Sequence, residues 1–99
     1  MTIQKSTEAD KTILTIEGQV NTTTAPKLDA ALSEELAAGN HLVLDFAQVA
    51  YVSSAGLRAL LNAQKLANKT GRNMLIKNVN DEVADVFDMT GFIDILNVE

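Results

Sequence analysis

The sequence predicts a single α/β domain with a mixed, mostly parallel sheet, helices packed against that sheet, and the element order ββαβαβαβ. A chain of 99 residues is long enough for one packed core and too short for two, so residues 1–99 are expected to form one domain. Short β-branched apolar runs alternate with segments whose apolar residues recur every three or four positions. This alternation follows an initial hairpin and requires right-handed crossovers between parallel strands.

The first two strands are predicted to form the hairpin. Residues 2–6 are a short edge strand, residues 7–11 (TEADK) are a polar turn, and residues 12–17 (TILTIE) are a β-branched strand. We expect Gly18 to end this second strand.

The first helix is predicted over residues 22–38. A proline stands in its first turn, where the fixed φ angle suits a helix start, and Gly39-Asn40 favours its end. Residues spaced by three or four positions make one apolar stripe, which consists of Leu28, Ala31, Leu32 and Leu36.

The middle of the chain predicts a central strand, a loop and a second helix. Residues 42–46, opened by His41, are apolar on both faces, which favours a strand covered on both sides. Residues 48–53 are expected to be a loop, and the helix then runs from about Ser54 to Lys69 and stops at residues 70–72. Its core stripe is predicted to be Leu57, Leu60, Leu61, Gln64 and either Ala67 or Asn68.

The last third of the chain predicts strand, helix and strand. The segment from Asn73 to Val79 contains an apolar strand, a short helix starts at Asp81, and Gly91 breaks that helix. The final strand is expected from Phe92 to Val98. The buried face of the short helix is predicted to be Val83, Val86 and Phe87, extended by Met89.

Composition excludes several classes of function. Thirteen acidic against eight basic residues give a net charge of -5, and the basic residues are scattered, so nucleic acid and anionic membrane surfaces are not expected partners. The absence of cysteine excludes disulfides, thiol catalysis and cysteine-ligated metal, and it fits a reducing cytosol. There is no signal-peptide pattern and no apolar run of about 20 residues. A cytoplasmic protein is therefore the expectation.

No catalytic motif is present. The chain lacks the dinucleotide fingerprint, the phosphate loop, the nucleophile elbow and the zinc-protease helix motif, and one histidine cannot build a zinc site without cysteine. A triad of Ser53 or Ser54 with His41 and Asp45 is excluded, since the last two lie about 13 Å apart along one strand. We therefore expect no enzyme, no cofactor and no metal, and a structural or solvent-exposed role for His41.

Two pairs of adjacent carboxylates are interpreted as structural. Glu34-Glu35 is placed on the polar face of the first helix, where both side chains are expected to be solvated. Asp81-Glu82 falls in the first turn of a helix, where acidic side chains are favourable.

The junction from Asp45 to Arg58 carries the remaining chemistry. A buried strand leads through a loop to two serines at a helix start, where serine is a good N-cap worth about 1 kcal/mol. The same helix end would also hold a phosphate on a serine, and Arg58, one turn after Ser54, opposes the helix dipole unless an anion stands beside it. Gly56 is expected to leave room for a partner. Capping and phosphorylation both remain open from these residues alone.

At this junction the chain resembles the STAS domain, specifically the small single-domain anti-sigma factor antagonists of bacteria. The family pattern there is an apolar strand followed by Asp-Ser-Ser/Thr-Gly-Leu-Gly, and residues 53–58 read Ser-Ser-Ala-Gly-Leu-Arg. Residues 17–21 (EGQVN) are similar to the family's Gly-Glu-Leu-Asp loop before the first helix. Residues 86–92 (VFDMTGF) are similar to its Leu-Phe-Asp-Met-Ser-Gly-Leu segment. The resemblance covers essentially the whole chain.

The resemblance implies a non-enzymatic switch without a cofactor. In such proteins an anti-sigma factor that is also a serine kinase, of the histidine-kinase-like ATPase type, phosphorylates the serine that corresponds to Ser54. The unphosphorylated form binds this kinase and frees the sigma factor, phosphorylation blocks binding, and a PP2C-type phosphatase restores it. Ser53 is the second candidate for the phosphorylated residue.

This chain departs from the family pattern at three positions. Ser53 and Asn21 stand where the family has acidic residues, and Arg58 stands in place of a glycine. An alternative is therefore a constitutive STAS subunit of a transport or lipid-trafficking assembly, without phospho-regulation.

The partner face is expected to surround Ser54. Tyr51 is either an anchor of this face or a half-buried loop aromatic, while Met89 and Phe92 are expected in the core. The predicted partner-binding residues are Gly18, Gln19, Asn21, Thr22, Tyr51, Val52, Ser53, Ser54, Gly56 and Arg58.

Overall fold

Five strands form one sheet and three α-helices connect them in the computed structural model, which describes residues 1–99. A short 3₁₀ helix, Phe92–Asp94, precedes the last strand. The strands are β1 (Thr2–Glu8), β2 (Lys11–Val20), β3 (His41–Val52), β4 (Met74–Lys77) and β5 (Asn97–Val98). The helices are α1 (Ala25–Ala37), α2 (Ser54–Thr70) and α3 (Asp81–Met89). None of the helices has both the length and the apolar character needed to cross a membrane.

The strands lie in the order of the chain, β1-β2-β3-β4-β5. β1 is antiparallel to β2, and every other neighbouring pair is parallel. Leu14 of β2 is level with Leu44 of β3, which is level with Ile76 of β4. The predicted order ββαβαβαβ and the mixed, mostly parallel sheet are therefore confirmed.

The apolar core lies between the helices and one face of the sheet. Leu14 and Leu44 face it and are 2% and 0% exposed, whereas Ile13, Val43 and Leu75 lie level with one another on the other face and stay outside the core cluster. The expected covering of β3 on both sides is wrong, because the core cluster includes Leu42, Leu44 and Phe46 but not Val43, although Val43 is only 9% exposed. The helices contribute Leu28, Leu32, Leu36, Leu57, Leu60, Ala63, Ala67, Val83 and Phe87 to the core.

β2 and β3 are longer than the sequence indicated. β2 passes through Gly18, and β3 continues to Val52 through the segment that was expected to be a loop. The pairing of the two strands shifts register at Thr15/Glu17 and at Gly18/Gln19. These bulges break the alternation of buried and exposed residues, so the polar, irregular stretch does not have a strand pattern. Gly18 adopts φ +102°, which suits glycine, and so extends the strand instead of ending it.

The C-terminal segment also differs from expectation. The last strand contains only Asn97 and Val98, because residues 92–94 form the 3₁₀ helix. In α3, Val83 and Phe87 are buried and Val86 is partly buried, but Met89 is 85% exposed. The expectation of a core position was right for Phe92, which packs partly buried against the core, and wrong for Met89.

The stripe of α2 is largely as predicted. Leu57, Leu60, Gln64 and Ala67 are buried, which decides for Ala67 over the exposed Asn68, while Leu61 is only partly buried.

Glu35 ties the edge strand β1 to α1. It is 8% exposed, forms an ion pair with Lys5 and accepts a hydrogen bond from Asn40 Nδ2 at 2.8 Å. The expectation that Glu35 is solvated is therefore wrong, although Glu34 is exposed. The bond from Lys5, aided by Asn40, lowers the pKa of the Glu35 carboxyl below 4.5 against the opposing effect of burial.

We expect Glu35→Gln to lower the free energy of unfolding by about 1 kcal/mol at neutral pH. Because folding lowers the Glu35 pKa, its contribution is complete above the unfolded-state value of 4.5 and is lost as the pH falls through the folded-state value. Urea unfolding at pH 7 and at about pH 3 measures both. Glu34→Gln is the control, with a change within about 0.5 kcal/mol. A deficit in Glu35→Gln that persisted unchanged at the acidic pH would contradict this account.

Candidate functional site

The carboxyl ends of β2 and β3 meet the start of α2 at one edge of the sheet. Val20 is level with Val52, and the N–H of Ser53 donates a hydrogen bond to the carbonyl oxygen of Val20 at 2.8 Å. This bond attaches the first residue after β3 to the last residue of β2. The β2–α1 loop and the start of α2 therefore lie side by side.

The two serines at the start of α2 have different roles. Ser53 is the N-cap: its backbone is extended (φ -83°, ψ 175°), and its Oγ accepts a hydrogen bond from the N–H of Gly56 at 3.3 Å. Ser54 is the first helical residue and is exposed. Capping is thus assigned to Ser53, which leaves the hydroxyl of Ser54 turned to the surface.

The β2–α1 loop is held by Asn21 and Thr24. Asn21 Oδ1 accepts hydrogen bonds from the N–H groups of Thr23 (3.0 Å) and Thr24 (3.1 Å), and its own N–H donates to Thr24 Oγ1 at 2.8 Å. Thr24 Oγ1 in turn donates to the carbonyl oxygen of Gln19 at 2.9 Å. An aspartate oxygen would accept the same bonds, so asparagine keeps the loop geometry and removes a charge.

Gly56 serves close packing and is not an approach for a partner. It is buried, and a Cβ at this position would lie 2.7 Å from Val20 Cγ1 and 3.0 Å from both the Val20 carbonyl oxygen and Val52 Cγ1. The expected room at Gly56 is therefore taken up by the ends of β2 and β3. Val52, at 2% exposure, also lies beneath the surface.

Arg58 lies one turn into α2 and is exposed. It lines a groove of about 260 Å³ between α1 and α2 together with Asp29. The single ion pair of the structure joins Lys5 and Glu35, so Arg58 and Asp29 share the groove without a direct ion pair. The first turn of α2 carries no acidic residue. The partial positive charge at the start of this helix is therefore not balanced by a carboxylate of its own first turn, and the nearest acidic residue named in the groove is Asp29 of α1.

Tyr51 lies in β3 and is 49% exposed. The expectation that it is a loop residue is wrong. It lines a groove of about 110 Å³ with Glu82 and Val86 of α3, and Asn80 Nδ2 donates to the carbonyl oxygen of Val49 at 2.9 Å where α3 begins. Sequence reasoning did not place α3 at this edge. The feature of the sequence that could have indicated it is the helical spacing of Glu82 and Val86, which lie one turn apart and therefore on the same side of α3.

The predicted partner-binding residues thus fall into three groups. All belong to the end of β2, the β2–α1 loop, the end of β3 or the first turns of α2. Those on the surface are Gln19, Thr22, Tyr51, Ser54 and Arg58; those partly buried are Gly18, Asn21 and Ser53; those buried are Val52 and Gly56.

The residues weighed as a hydrolytic triad are engaged elsewhere. His41 Nδ1 accepts a hydrogen bond from the N–H of Asn73 at 3.0 Å, and Asp45 accepts bonds from Asn78 Nδ2 and from the N–H of Ala47, both at 3.0 Å. These two bonds, with Asn78 the stronger cause, lower the pKa of Asp45. The largest cavity, about 900 Å³, lies at the opposite edge of the sheet, where His41 and Asn73 line it.

Comparison with known proteins identifies the family. The model of the STAS domain matches residues 1–99. The chain belongs to the STAS domain family. Among curated relatives of this STAS chain, BtrV of Bordetella bronchiseptica, which bears the provisional name of an anti-sigma factor antagonist, is 32% identical over 87 residues, 87% of this chain and 75% of the relative. An anti-sigma-B factor antagonist of Staphylococcus epidermidis is 28% identical over 99 residues, 99% of this chain and 92% of the relative.

Solved structures share the fold. The Thermotoga maritima protein tm1081 matches with a TM-score of 0.91 at 21% identity, over 97% of this chain and 84% of that chain. The phosphorylated form of the Bacillus protein SpoIIAA gives a TM-score of 0.76 at 13% identity, over 99% of this chain and 91% of that chain. The resemblance to the STAS family and its fold, predicted from the sequence, is confirmed.

We expect Gly56→Ala to lower the free energy of unfolding by about 1–3 kcal/mol, because the added methyl group must displace Val20 or part the helix from the strands. This cost exceeds the gain of about 1 kcal/mol that alanine brings to a helix. Urea unfolding measures the difference. Ser54→Ala, which adds nothing to the core, is the control and should change stability by about 0.5 kcal/mol or less. Equal or higher stability of Gly56→Ala would show that the contact is not tight.

Proposed function

We propose that this STAS domain is an anti-sigma factor antagonist whose binding is switched by phosphorylation of Ser54. Its partner is an anti-sigma factor that is also a serine kinase of the histidine-kinase-like ATPase type, and a PP2C-type phosphatase reverses the modification. The observation that carries the proposal is the exposed Ser54 hydroxyl at the first residue of α2, in a chain whose curated relatives are named as anti-sigma factor antagonists.

The geometry at Ser54 suits modification by a kinase. Ser53 provides the N-cap, so no cap bond is lost when the neighbouring hydroxyl reacts. The residue is on the surface, and the backbone around it is fixed by the bond from Ser53 to Val20. A kinase can therefore reach the hydroxyl without unfolding the junction. The SpoIIAA structure in its phosphorylated form supports the proposal at the level of the shared fold.

Phosphorylation acts through charge. A phosphoserine adds about -1.5 to -2 at neutral pH, which takes the chain from -5 to about -6.5 to -7. Burying this group in an interface without a matching cation costs several kcal/mol, while a tenfold loss of affinity needs only about 1.4 kcal/mol. A local change at Ser54 is thus sufficient to exclude the partner, and no refolding is needed.

The start of α2 also stabilises the phosphorylated form of this protein. The helix N-terminus offers N–H groups and a partial positive charge, and no acidic residue of its first turn competes for them. Arg58, exposed and without an ion pair, lies one turn further along. A phosphate at Ser54 would therefore gain a cation that otherwise opposes the helix dipole.

The assignment of Ser54 as the phosphorylated residue is tested by incubating the protein with a serine kinase of the histidine-kinase-like ATPase type encoded in the same genome. We expect this kinase to label the wild type and Ser53→Ala but not Ser54→Ala, because Ser54 is exposed whereas Ser53 is partly buried and its Oγ accepts the cap bond from Gly56. Fragmentation mass spectrometry of the peptide spanning residues 28–58 separates Ser53 and Ser54 from Ser33. Label that persisted on Ser54→Ala would reject the assigned residue. A chain that no such kinase labels would favour the constitutive subunit.

The effect on binding is tested with a phosphate mimic. We expect Ser54→Asp to bind the anti-sigma factor kinase at least about tenfold more weakly than the unphosphorylated wild type does, because a carboxylate enters the interface. Ser54→Ala should keep the affinity within about threefold. Isothermal titration calorimetry measures both. Equal affinities of the two variants for the kinase would show that a negative charge at position 54 does not exclude the partner.

The contribution of Arg58 is measured on the phosphorylated protein. The second pKa of phosphoserine, about 6 in the absence of partners, should be lowered at Ser54 by the helix end and by Arg58. We expect Arg58→Gln to raise it by about 0.5 unit, equivalent to roughly 0.7 kcal/mol. A ³¹P NMR titration reports the value. Lys65→Gln removes the same charge further along α2 and should leave the titration unchanged; if both variants shift it equally, Arg58 has no direct contact.

A further inference from the structure

Tyr51 at the end of β3 and Val86 and Met89 on α3 form an apolar strip that begins beside the edge of the sheet carrying Ser54 and continues along α3. Tyr51 and Val86 line one groove between the end of β3 and α3. Met89 follows Val86 by three residues on α3, so both side chains lie on the same side of the helix. Met89 is 85% exposed and Tyr51 is 49% exposed, and these are the two highest values among the large apolar side chains of the protein. We call these three residues the α3 strip.

The helix that carries Val86 and Met89 is strongly acidic. The helix carries four acidic residues and no basic one, and none of the four forms an ion pair. Asp81 and Glu82 lie in the first turn, where acidic side chains stabilise a helix, but Asp88 lies in the last turn, where it opposes the helix dipole. Asp85, between them, gains nothing from the dipole. Helix stability therefore does not account for Asp85 and Asp88.

We infer that the α3 strip docks an apolar segment flanked by lysine or arginine residues. The segment belongs to the partner that also covers Ser54, so the inference rests on the proposed function. Tyr51 lies three residues before Ser54 at the end of β3, and both residues are exposed. The strip supplies apolar contact area, and the unpaired carboxylates supply complementary charge.

The charge of α3 argues against other occupants. A second copy of this chain has a net charge of -5 and would bring the same carboxylates to the contact. Nucleic acid and anionic lipid surfaces are repelled for the same reason. A protein segment with basic residues on both sides of an apolar centre satisfies both features of the strip.

The test measures the affinity of the unphosphorylated chain for the anti-sigma factor kinase by calorimetry at about 0.05 M and 0.5 M salt. We expect Met89→Ser to weaken binding about tenfold, the loss typical of truncating an interface anchor. The double variant Asp85→Asn/Asp88→Asn should weaken binding at low salt and reduce the dependence of affinity on salt. Ile95→Ser is the matched control, because Ile95 is 48% exposed but lies outside the strip.

The outcomes separate this inference from the proposed function. If Ser54→Asp abolishes binding while Met89→Ser and the double aspartate variant behave like the wild type, the docking site is overturned and the switch at Ser54 stands. A loss with Ile95→Ser equal to that with Met89→Ser would also overturn it, since the effect would not be local. If the wild-type chain binds no such kinase, the proposed function and the inference fall together. Circular dichroism of each variant verifies that the fold is kept.

Discussion

The placement of Ser54 depends on one close contact, between the first turn of α2 and the ends of β2 and β3. Gly56 has no Cβ, and a Cβ would lie 2.7 Å from the side chain of Val20. The helix can therefore approach the strands closely enough for the N–H of Ser53 to reach the carbonyl oxygen of Val20 at 2.8 Å. The cap at Ser53 and the buried glycine face the strands, and Ser54, between them, faces outward. The outward serine is thus a consequence of packing two residues along the helix.

Sequence reasoning predicted the elements that repeat and did not predict those that depend on distant partners. The leucine stripe of α1 and the glycine end of α2 follow from helix geometry, and both were predictable. The extension of β3 to Val52 was not, because its pairing with β2 is interrupted by bulges that no local pattern reveals. The burial of Glu35 depends on Lys5, which is 30 residues earlier in the sequence and reaches it only through the hairpin.

The candidate site was predictable in its residue types and not in their exposure. Two serines at a helix start favour a cap, and only the structure assigns that role to Ser53. Glycine at position 56 fits equally a surface open to a partner and a close internal contact, and the distances to Val20 and Val52 decide for the second. Met89 falls at a helical spacing typical of the core, yet in α3 only Val83 and Phe87 are fully buried, Val86 is partly buried and Met89 is 85% exposed.

The departures from the family pattern change charge and keep geometry. Ser53 caps α2 as an aspartate would, and Asn21 accepts the bonds that hold the β2–α1 loop, so both local structures survive the loss of a carboxylate. Arg58 adds a cation on the α1 side of Ser54, while Glu82 of α3, which forms no ion pair, lies on the Tyr51 side. For the proposed partner, charge complementarity would favour an acidic group opposite Arg58 and basic groups opposite α3. A phosphate at Ser54 would then weaken binding in two ways. It would repel the acidic group of the partner, and it would pair with Arg58, which that acidic group would otherwise contact.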